Sequence, residues 1–155
     1  MLSRSFCCLV VSCLGLLSSA QAGLLVTYAE PQNAADKAIQ GQLQGEAHLH
    51  EVFDFVQKNY RINPDIILHF GAEDGPAFDP ASNVILFPYS FVDEIKARFA
   101  KDNYAKTGVA VNEAVSGVLA HTVLHELLHA LIAQYEIPVL GKEEDAADHV
   151  ATLLL

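Results

Sequence analysis

The pentapeptide H-E-L-L-H at residues 125–129 constrains the fold of this chain more than any other feature. It lies within the run A-V-S-G-V-L-A-H-T-V-L-H-E-L-L-H-A-L-I-A, which is apolar at most other positions. We predict a long helix here, from an N-cap at Asn112 to Tyr135, with Pro138 just beyond its end. Side chains four residues apart lie on the same face of a helix, so His125 and His129 can bind one metal ion.

The residue between the two histidines has the position of a catalytic base. The H-E-x-x-H pattern is typical of the active-site helix of zinc metallopeptidases. Zinc brings the pKa of a water ligand down towards neutrality, and Glu126 can take the proton and later pass it to the leaving amine. The alternative is a helix whose histidines lie at a polar edge and bind no metal. That arrangement would leave Glu126 with costly unpaired polar groups in an apolar segment.

A third ligand is predicted on a second helix, at residues 142–155. Catalytic zinc generally takes three protein ligands and keeps a fourth position for water. We favour Glu144, because Asp148 lies one turn further along the same face and can accept the free ring N–H of a ligand histidine. Glu143 and Asp145 remain alternatives, since a shift of one residue rotates a helical side chain by about 100°. An acidic first turn can also form simply because it favours the helix dipole.

The two motifs together resemble a bacterial family of metallopeptidases of unknown function, related in pattern to the glutamate-zincin peptidases. The resemblance rests on H-E-L-L-H-A-L-I and on I-P-V-L-G-K-E-E-D-A-A-D-H-V-A, and it extends upstream through residues 75–89. It implies a zincin-like fold and a peptide substrate. It also implies that the Zn²⁺ ligands are His125, His129 and Glu144. The resemblance further implies that Glu126 is the catalytic acid/base and that Asp148 is the carboxylate that holds a ligand histidine.

The rest of the chain predicts one α+β domain, in which a small sheet of about three strands packs against the active-site helix and the ligand helix. The predicted strands are Leu24–Tyr28, Asp65–Phe70 and Asn83–Phe87, and further helices are predicted at Ala34–Asn59 and Phe91–Asn103. Residues 73–82 are rich in turn formers. Asn83–Phe87 is our candidate for an exposed edge to which a peptide adds a strand, because Pro88 cannot donate to a ladder. An interior place for this strand fits the sequence as well.

The first 22 residues predict a cleaved secretory signal, which leaves residues 23–155 as the domain. Arg4 gives a positive start, Phe6–Leu17 is a short apolar core, and Ala20-Gln21-Ala22 is a small-x-small cleavage site. We expect a secreted or periplasmic protein without a membrane span, because no later run of about 18 apolar residues is free of polar groups. A lipoprotein attached through Cys13 is the alternative.

Composition excludes several classes of partner and scaffold. The three cysteines all lie in the predicted signal, so we expect no disulfide in the mature chain. Roughly 133 residues remain, enough for one domain with an ordinary core. Eight basic residues then face 19 acidic ones, a formal charge of −11, which argues against nucleic acid and anionic membranes as partners. The oligomeric state is not specified, and an ending inside an apolar helical run, at Leu155, is compatible with a truncated chain.

Four further side chains are candidates for roles near the site. His121 is one turn before His125 and is predicted at the rim of the cleft, with a role beside the metal as the alternative. His149 is predicted at the surface, with a proton donor to an oxyanion as the alternative. Tyr89 and Tyr135 are also candidates for stabilising an oxyanion, but no sequence feature places either hydroxyl near the metal.

These features favour a secreted zinc-dependent metallopeptidase that hydrolyses peptide bonds through an activated water. The alternative is a non-catalytic zinc-binding or protein-interaction module on the same fold. Glu126 favours the enzyme, since a structural zinc site does not need it.

Overall fold

The computed structural model describes residues 22–101 and 104–155, which form a mixed α+β fold as predicted. The strands are β1 (Leu24–Tyr28), β2 (Ile66–Phe70), β3 (Ala77–Asp79) and β4 (Val84–Phe87). The helices are α1 (Ala34–Gly45), α2 (Ala47–Asn59), α3 (Tyr89–Lys101), α4 (Val111–Tyr135) and α5 (Glu143–Leu154), with a 3₁₀ turn at Tyr104–Thr107. The predicted signal peptide lies outside the described residues except for Ala22.

The described strands form one sheet in the order β1-β2-β4-β3. β1, β2 and β4 are parallel, and β3 pairs antiparallel with β4 at one edge. The sheet therefore has one strand more than predicted, and the prediction of β4 as an edge strand is wrong. Residues 73–82, which the sequence predicts as turns, contain β3, a strand of three residues between Pro76 and Pro80. The Asp79 carboxylate accepts hydrogen bonds from Ser82 Oγ and the Ala81 N–H, which stabilises the turn that folds β3 onto β4.

One face of the sheet carries most of the apolar core. Side chains alternate between the faces of a strand, and along β2 the buried ones are Ile66, Leu68 and Phe70. Aromatic rings continue this core from the sheet to α3. Tyr28 stacks on Phe70, Phe70 contacts Phe87, and Phe87 meets Phe91 edge to face, each pair with ring centroids 5.4 Å apart. Such pairs contribute about 0.5–1.5 kcal/mol each beyond the area they bury.

The single helix predicted at Ala34–Asn59 is two helices. Glu46 leaves the helical region (φ −78°, ψ 101°) and ends α1. Its carboxylate accepts a hydrogen bond of 3.0 Å from Ser116 Oγ on α4, a contact between residues 70 positions apart. A long-range contact thus accompanies a break that the local pattern does not reveal.

Helix α4 crosses the core and carries the H-E-L-L-H motif. Its N-cap is Ala110 and makes no side-chain hydrogen bond, so the predicted cap at Asn112 is wrong. It ends at Glu136, whose left-handed backbone (φ 49°) lets the Ile137 N–H reach the Ile132 carbonyl. In the described part of the chain, α4 alone is long and apolar enough to cross a membrane. However, 56% of its apolar window is buried in the fold, as in a core helix of a soluble protein, so no membrane span is established.

We expect Gly71→Ala to destabilise the fold and Gly117→Ala, its control, to stabilise it. Gly71 follows β2 with φ +90°, and a Cβ there would lie 2.6 Å from the Tyr89 ring. The free energy of unfolding, measured by urea denaturation, should fall by about 2–4 kcal/mol. Gly117 lies within α4 with open space around it, so alanine should add about 0.5–1 kcal/mol. Equal small effects at both positions would contradict the packing of Tyr89 against Gly71.

Candidate metal centre

The candidate centre is built where α5 packs on α4. Ala147 and Ala151 lie one turn apart on α5, and both are buried. Small side chains at such a contact let two helices approach closely. The helices run antiparallel, because residues near the start of α5 contact the C-terminal half of α4. The side chains beside the two alanines are thereby held against the histidines of α4.

Three histidines of α4, spaced by four residues, meet three α5 side chains that are five and four residues apart. His129 Nδ1 lies 2.7 Å from Glu143 Oε1, and His125 Nδ1 lies 2.8 Å from Asp148 Oδ1. One turn further along, His121 Nε2 lies 3.1 Å from Thr152 Oγ1. Ionised carboxylates only accept hydrogen bonds, so the Nδ1 atoms of His125 and His129 act as donors. In the neutral form of each ring, this leaves a lone pair on Nε2.

The two Nε2 atoms and one carboxylate oxygen converge on a single point. The distance between the Nε2 atoms of His125 and His129 is 3.1 Å. Oε2 of Glu144 lies 3.2 Å from the first and 3.4 Å from the second. A tetrahedral zinc site with ligands at about 2.0–2.1 Å separates its donor atoms by about 3.3 Å. These three residues can therefore hold a metal ion without rearrangement.

The electrostatics of this point favour a positive charge. Burial alone would lower the pKa of His129, but the hydrogen bond to Glu143 and the charges of Glu144 and Glu126 raise it above its ordinary value. Two lone pairs and a carboxylate oxygen within hydrogen-bonding distance repel one another unless a cation lies between them. The donor set thus fits a divalent cation in chemistry as well as in geometry.

Glu126 is held next to this point in an environment unlike that of the other acids. Its exposed fraction is 9%, whereas the Glu144 side chain is 71% exposed. Burial raises the pKa of Glu126, and this is opposed by His125, by His129 and by a hydrogen bond from the Phe78 backbone N–H. Because Phe78 is on β3, the edge strand orients the carboxylate. A buried carboxylate next to a metal position can act as a general base.

An open cleft of about 470 Å³ leads to the centre. β3 and its flanking prolines form one wall, and α4 and the first turn of α5 form the other.

The structure brings together the residues predicted for the site. His125, His129 and Glu144 converge, Glu126 lies beside them, and Asp148 contacts His125. The other candidates lie elsewhere. His121 pairs with Thr152 at the rim, and His149 is exposed. The hydroxyl groups of Tyr89 and Tyr135 donate to backbone carbonyls of Ala29 and Arg61, far along the chain from the centre.

Two contacts of the site were not anticipated from the sequence. Glu143, an alternative ligand in the sequence prediction, instead contacts the Nδ1 nitrogen of His129, as Asp148 contacts that of His125. The spacings of four residues between the histidines and five between these acids each correspond to about one helical turn, and this is the signal that could have indicated the contact. The hydrogen bond from Phe78 to Glu126 had no such signal, because it depends on β3.

A helix with the H-E-x-x-H motif, an acidic helix beside it and a small sheet with an edge at the cleft together surround a candidate metal centre in an α+β fold. The family described as "Putative metallopeptidase" (DUF4344) matches residues 28–155, and the chain belongs to this family. No curated protein and no solved structure matches the chain significantly.

We expect the carboxylates behind the histidines to set the metal affinity. Glu143→Ala and Asp148→Ala should each weaken Zn²⁺ binding about 10–100-fold, because each leaves a histidine unoriented and less basic. Glu143→Gln should lose less, since an amide oxygen can still accept the Nδ1 proton. Competition with a chromophoric chelator measures these affinities. Asp145→Ala, an exposed acid of the same helical turn, is the control. An equal loss in Asp145→Ala would show that only overall charge matters.

Proposed function

We propose that the protein is a zinc-dependent metallopeptidase that hydrolyses peptide bonds. Its metal ligands are His125, His129 and Glu144, and its catalytic acid/base is Glu126. The observation that carries this proposal is the convergence of three donor atoms, 3.1–3.4 Å apart, beside a buried carboxylate. Membership of the family described as "Putative metallopeptidase" also supports it.

Zinc fits this donor set better than Mg²⁺ or Ca²⁺ does. Two imidazole nitrogens and one carboxylate oxygen form a ligand set used by catalytic zinc, whereas Mg²⁺ and Ca²⁺ prefer oxygen ligands alone. Three protein ligands leave one position open, as a catalytic site requires and a closed structural site does not.

Each residue of the centre has its own role in the proposed reaction. A bound zinc ion would polarise the scissile carbonyl and make a water molecule acidic. Glu126 accepts the proton of that water and then donates it to the nitrogen of the leaving amine. The Phe78 N–H favours the charged form of Glu126, because it lowers the pKa of this carboxyl group. Asp148 and Glu143 fix the rings of His125 and His129 through their Nδ1 protons.

The edge strand β3 supplies a place for the peptide backbone. β3 is the edge strand of the sheet, so the outer side of its backbone faces away from β4. An extended peptide can pair with this outer side, so that it lies along β3 and across the metal. Pro76 and Pro80 have no N–H to offer, which limits unwanted pairing of this short edge with other chains. The peptide-binding edge is thus β3 rather than β4.

We also place the enzyme outside the cytoplasm, as a secreted or periplasmic protein. The basis is the arrangement of Arg4, the apolar segment Phe6–Leu17 and the site Ala20-Gln21-Ala22. N-terminal sequencing of the protein recovered from the medium or periplasm should begin at Gly23.

We expect Glu126→Gln to abolish peptidase activity while the metal stays bound. The amide cannot accept a proton, so kcat should fall at least about 10²-fold, and Glu126 is not a ligand, so zinc content should not change. Cleavage of unstructured peptides, followed by mass spectrometry, measures the first effect, and elemental analysis measures the second. Glu113→Gln, an exposed acid in the first turn of α4, is the control.

Two outcomes would contradict the proposal. Retention of activity in Glu126→Gln would exclude this residue as the base. A zinc-loaded wild-type protein that cleaves no peptide would instead support the non-catalytic zinc-binding module.

A further inference from the structure

The first residue of the proposed mature chain is held by the sheet. β1 pairs parallel with β2 from Leu24, opposite Ile66, so Gly23 lies opposite Asp65. Gly23 is buried, and its carbonyl accepts a hydrogen bond of 3.0 Å from the Ile66 N–H. The first residues of most domains are poorly ordered unless contacts with the fold hold them. Here such contacts begin at the first position after the proposed cleavage site.

The Asp65 side chain binds the backbone nitrogen of Gly23. Its Oδ1 accepts a hydrogen bond of 2.8 Å from this nitrogen, between residues 42 positions apart. Asp65 is exposed, and among the side chains that the structure describes, no basic one forms an ion pair with its carboxylate. A negative charge therefore lies within hydrogen-bonding distance of the atom that becomes the α-amino group once Ala22 is removed.

A second side chain fixes the start of β1. Gln57 of α2 accepts a hydrogen bond from the Leu24 N–H through Oε1 and donates one to the Leu24 carbonyl through Nε2, both of 3.1 Å. A Cβ at residue 23 would collide with this Oε1 atom, so any residue other than glycine would displace the Gln57 amide. Glycine directly after the cleavage site is thus a requirement of the fold.

The residues before Asp65 contact the C-terminal turn of α4. Gln134 Nε2 donates to the Pro64 carbonyl at 2.9 Å, and the Tyr135 hydroxyl donates to the Arg61 carbonyl. The loop before β2 is therefore held by α4 at one end and by the start of β1 at the other. A stronger contact at Gly23 stabilises the segment on which the helix of the metal centre packs.

We propose that removal of the signal completes the fold, because the α-amino group created on Gly23 forms an ion pair with the Asp65 carboxylate. This inference rests on the proposed cleavage after Ala22. A signal peptidase of the exporting cell hydrolyses the Ala22–Gly23 bond with one water molecule, which leaves a carboxylate on Ala22 and an amine on Gly23.

The change at the Gly23 nitrogen is one of charge at a fixed place. In the uncleaved chain this nitrogen is a neutral amide donor. In the mature chain it is mostly an ammonium group at neutral pH, since the ordinary pKa of an α-amino group is about 7.7–8.0. The contact with Asp65 then gains Coulomb attraction between opposite charges. The mature protein is therefore more stable than its precursor.

Two chains with defined first residues test the effect of this charge. The mature chain, beginning at Gly23, and a longer chain, beginning at Ala20, are each released from a fusion protein by cleavage directly before the first residue. Three extra residues move the ammonium group by up to about 10 Å, since an extended chain spans about 3.3 Å per residue. The midpoint of thermal unfolding (Tm) should be about 1–4 °C higher for the mature chain.

Asp65→Asn in both chains completes a double-mutant cycle. Asparagine can still accept the hydrogen bond but carries no charge. The substitution should lower the Tm of the mature chain by about 1–4 °C and that of the longer chain by less than half as much. This difference should shrink in about 1 M NaCl, where the Debye length is about 3 Å. Glu94→Gln, an exposed acid of α3, is the control and should affect both chains equally.

The outcomes separate the ion pair from the other proposals. A larger effect of Asp65→Asn in the mature chain would support the pair. Equal effects in the two chains would overturn the pair and leave the proposed export and peptidase activity standing. The expected difference, in a protein whose exported form begins at a residue other than Gly23, would overturn the role of cleavage in forming the pair.

Discussion

The antiparallel contact between α4 and α5 is the constraint on which the site depends. Ala147 and Ala151 let the two backbones approach, and every polar pair of the centre follows from that register. Residues about four positions apart lie on the same face of a helix. A single register between the two packed helices therefore brings three histidines of α4 next to three residues of α5. A slip of one residue on α5 would rotate Glu144 away from the Nε2 atoms by about 100° and would remove the partner of each ring.

The sheet contributes the other half of the site through its shortest strand. β3 covers the flank of α4, buries Glu126 and donates the Phe78 N–H to its carboxylate. The same strand forms one wall of the metal cleft. A strand of three residues between prolines thus lies beside the proposed base and provides the edge for the proposed peptide. The aromatic contacts from Phe70 to Phe91 connect this region to the core. The packing of the core therefore fixes the geometry of this region.

Local patterns in the sequence predicted much of this arrangement, and long-range contacts account for what they missed. The four-residue spacing of His125 and His129, and of Glu144 and Asp148, is a property of single helices, and the predicted positions converge in the structure. The break at Glu46 and the strand β3 arise from contacts with α4 and β4, which no window of the sequence contains. The contact of Glu143 with His129 required the register of two helices at once. Export and the identity of the metal stay predictions.

The most direct test of the central claim is a crystal structure of the zinc-loaded protein with anomalous diffraction data at the zinc edge. We predict one zinc ion within about 2.0–2.2 Å of His125 Nε2, His129 Nε2 and a carboxylate oxygen of Glu144, with Glu126 next to it but not bound. A zinc ion held by other residues, or no anomalous peak between these three side chains at saturating zinc, would contradict the account.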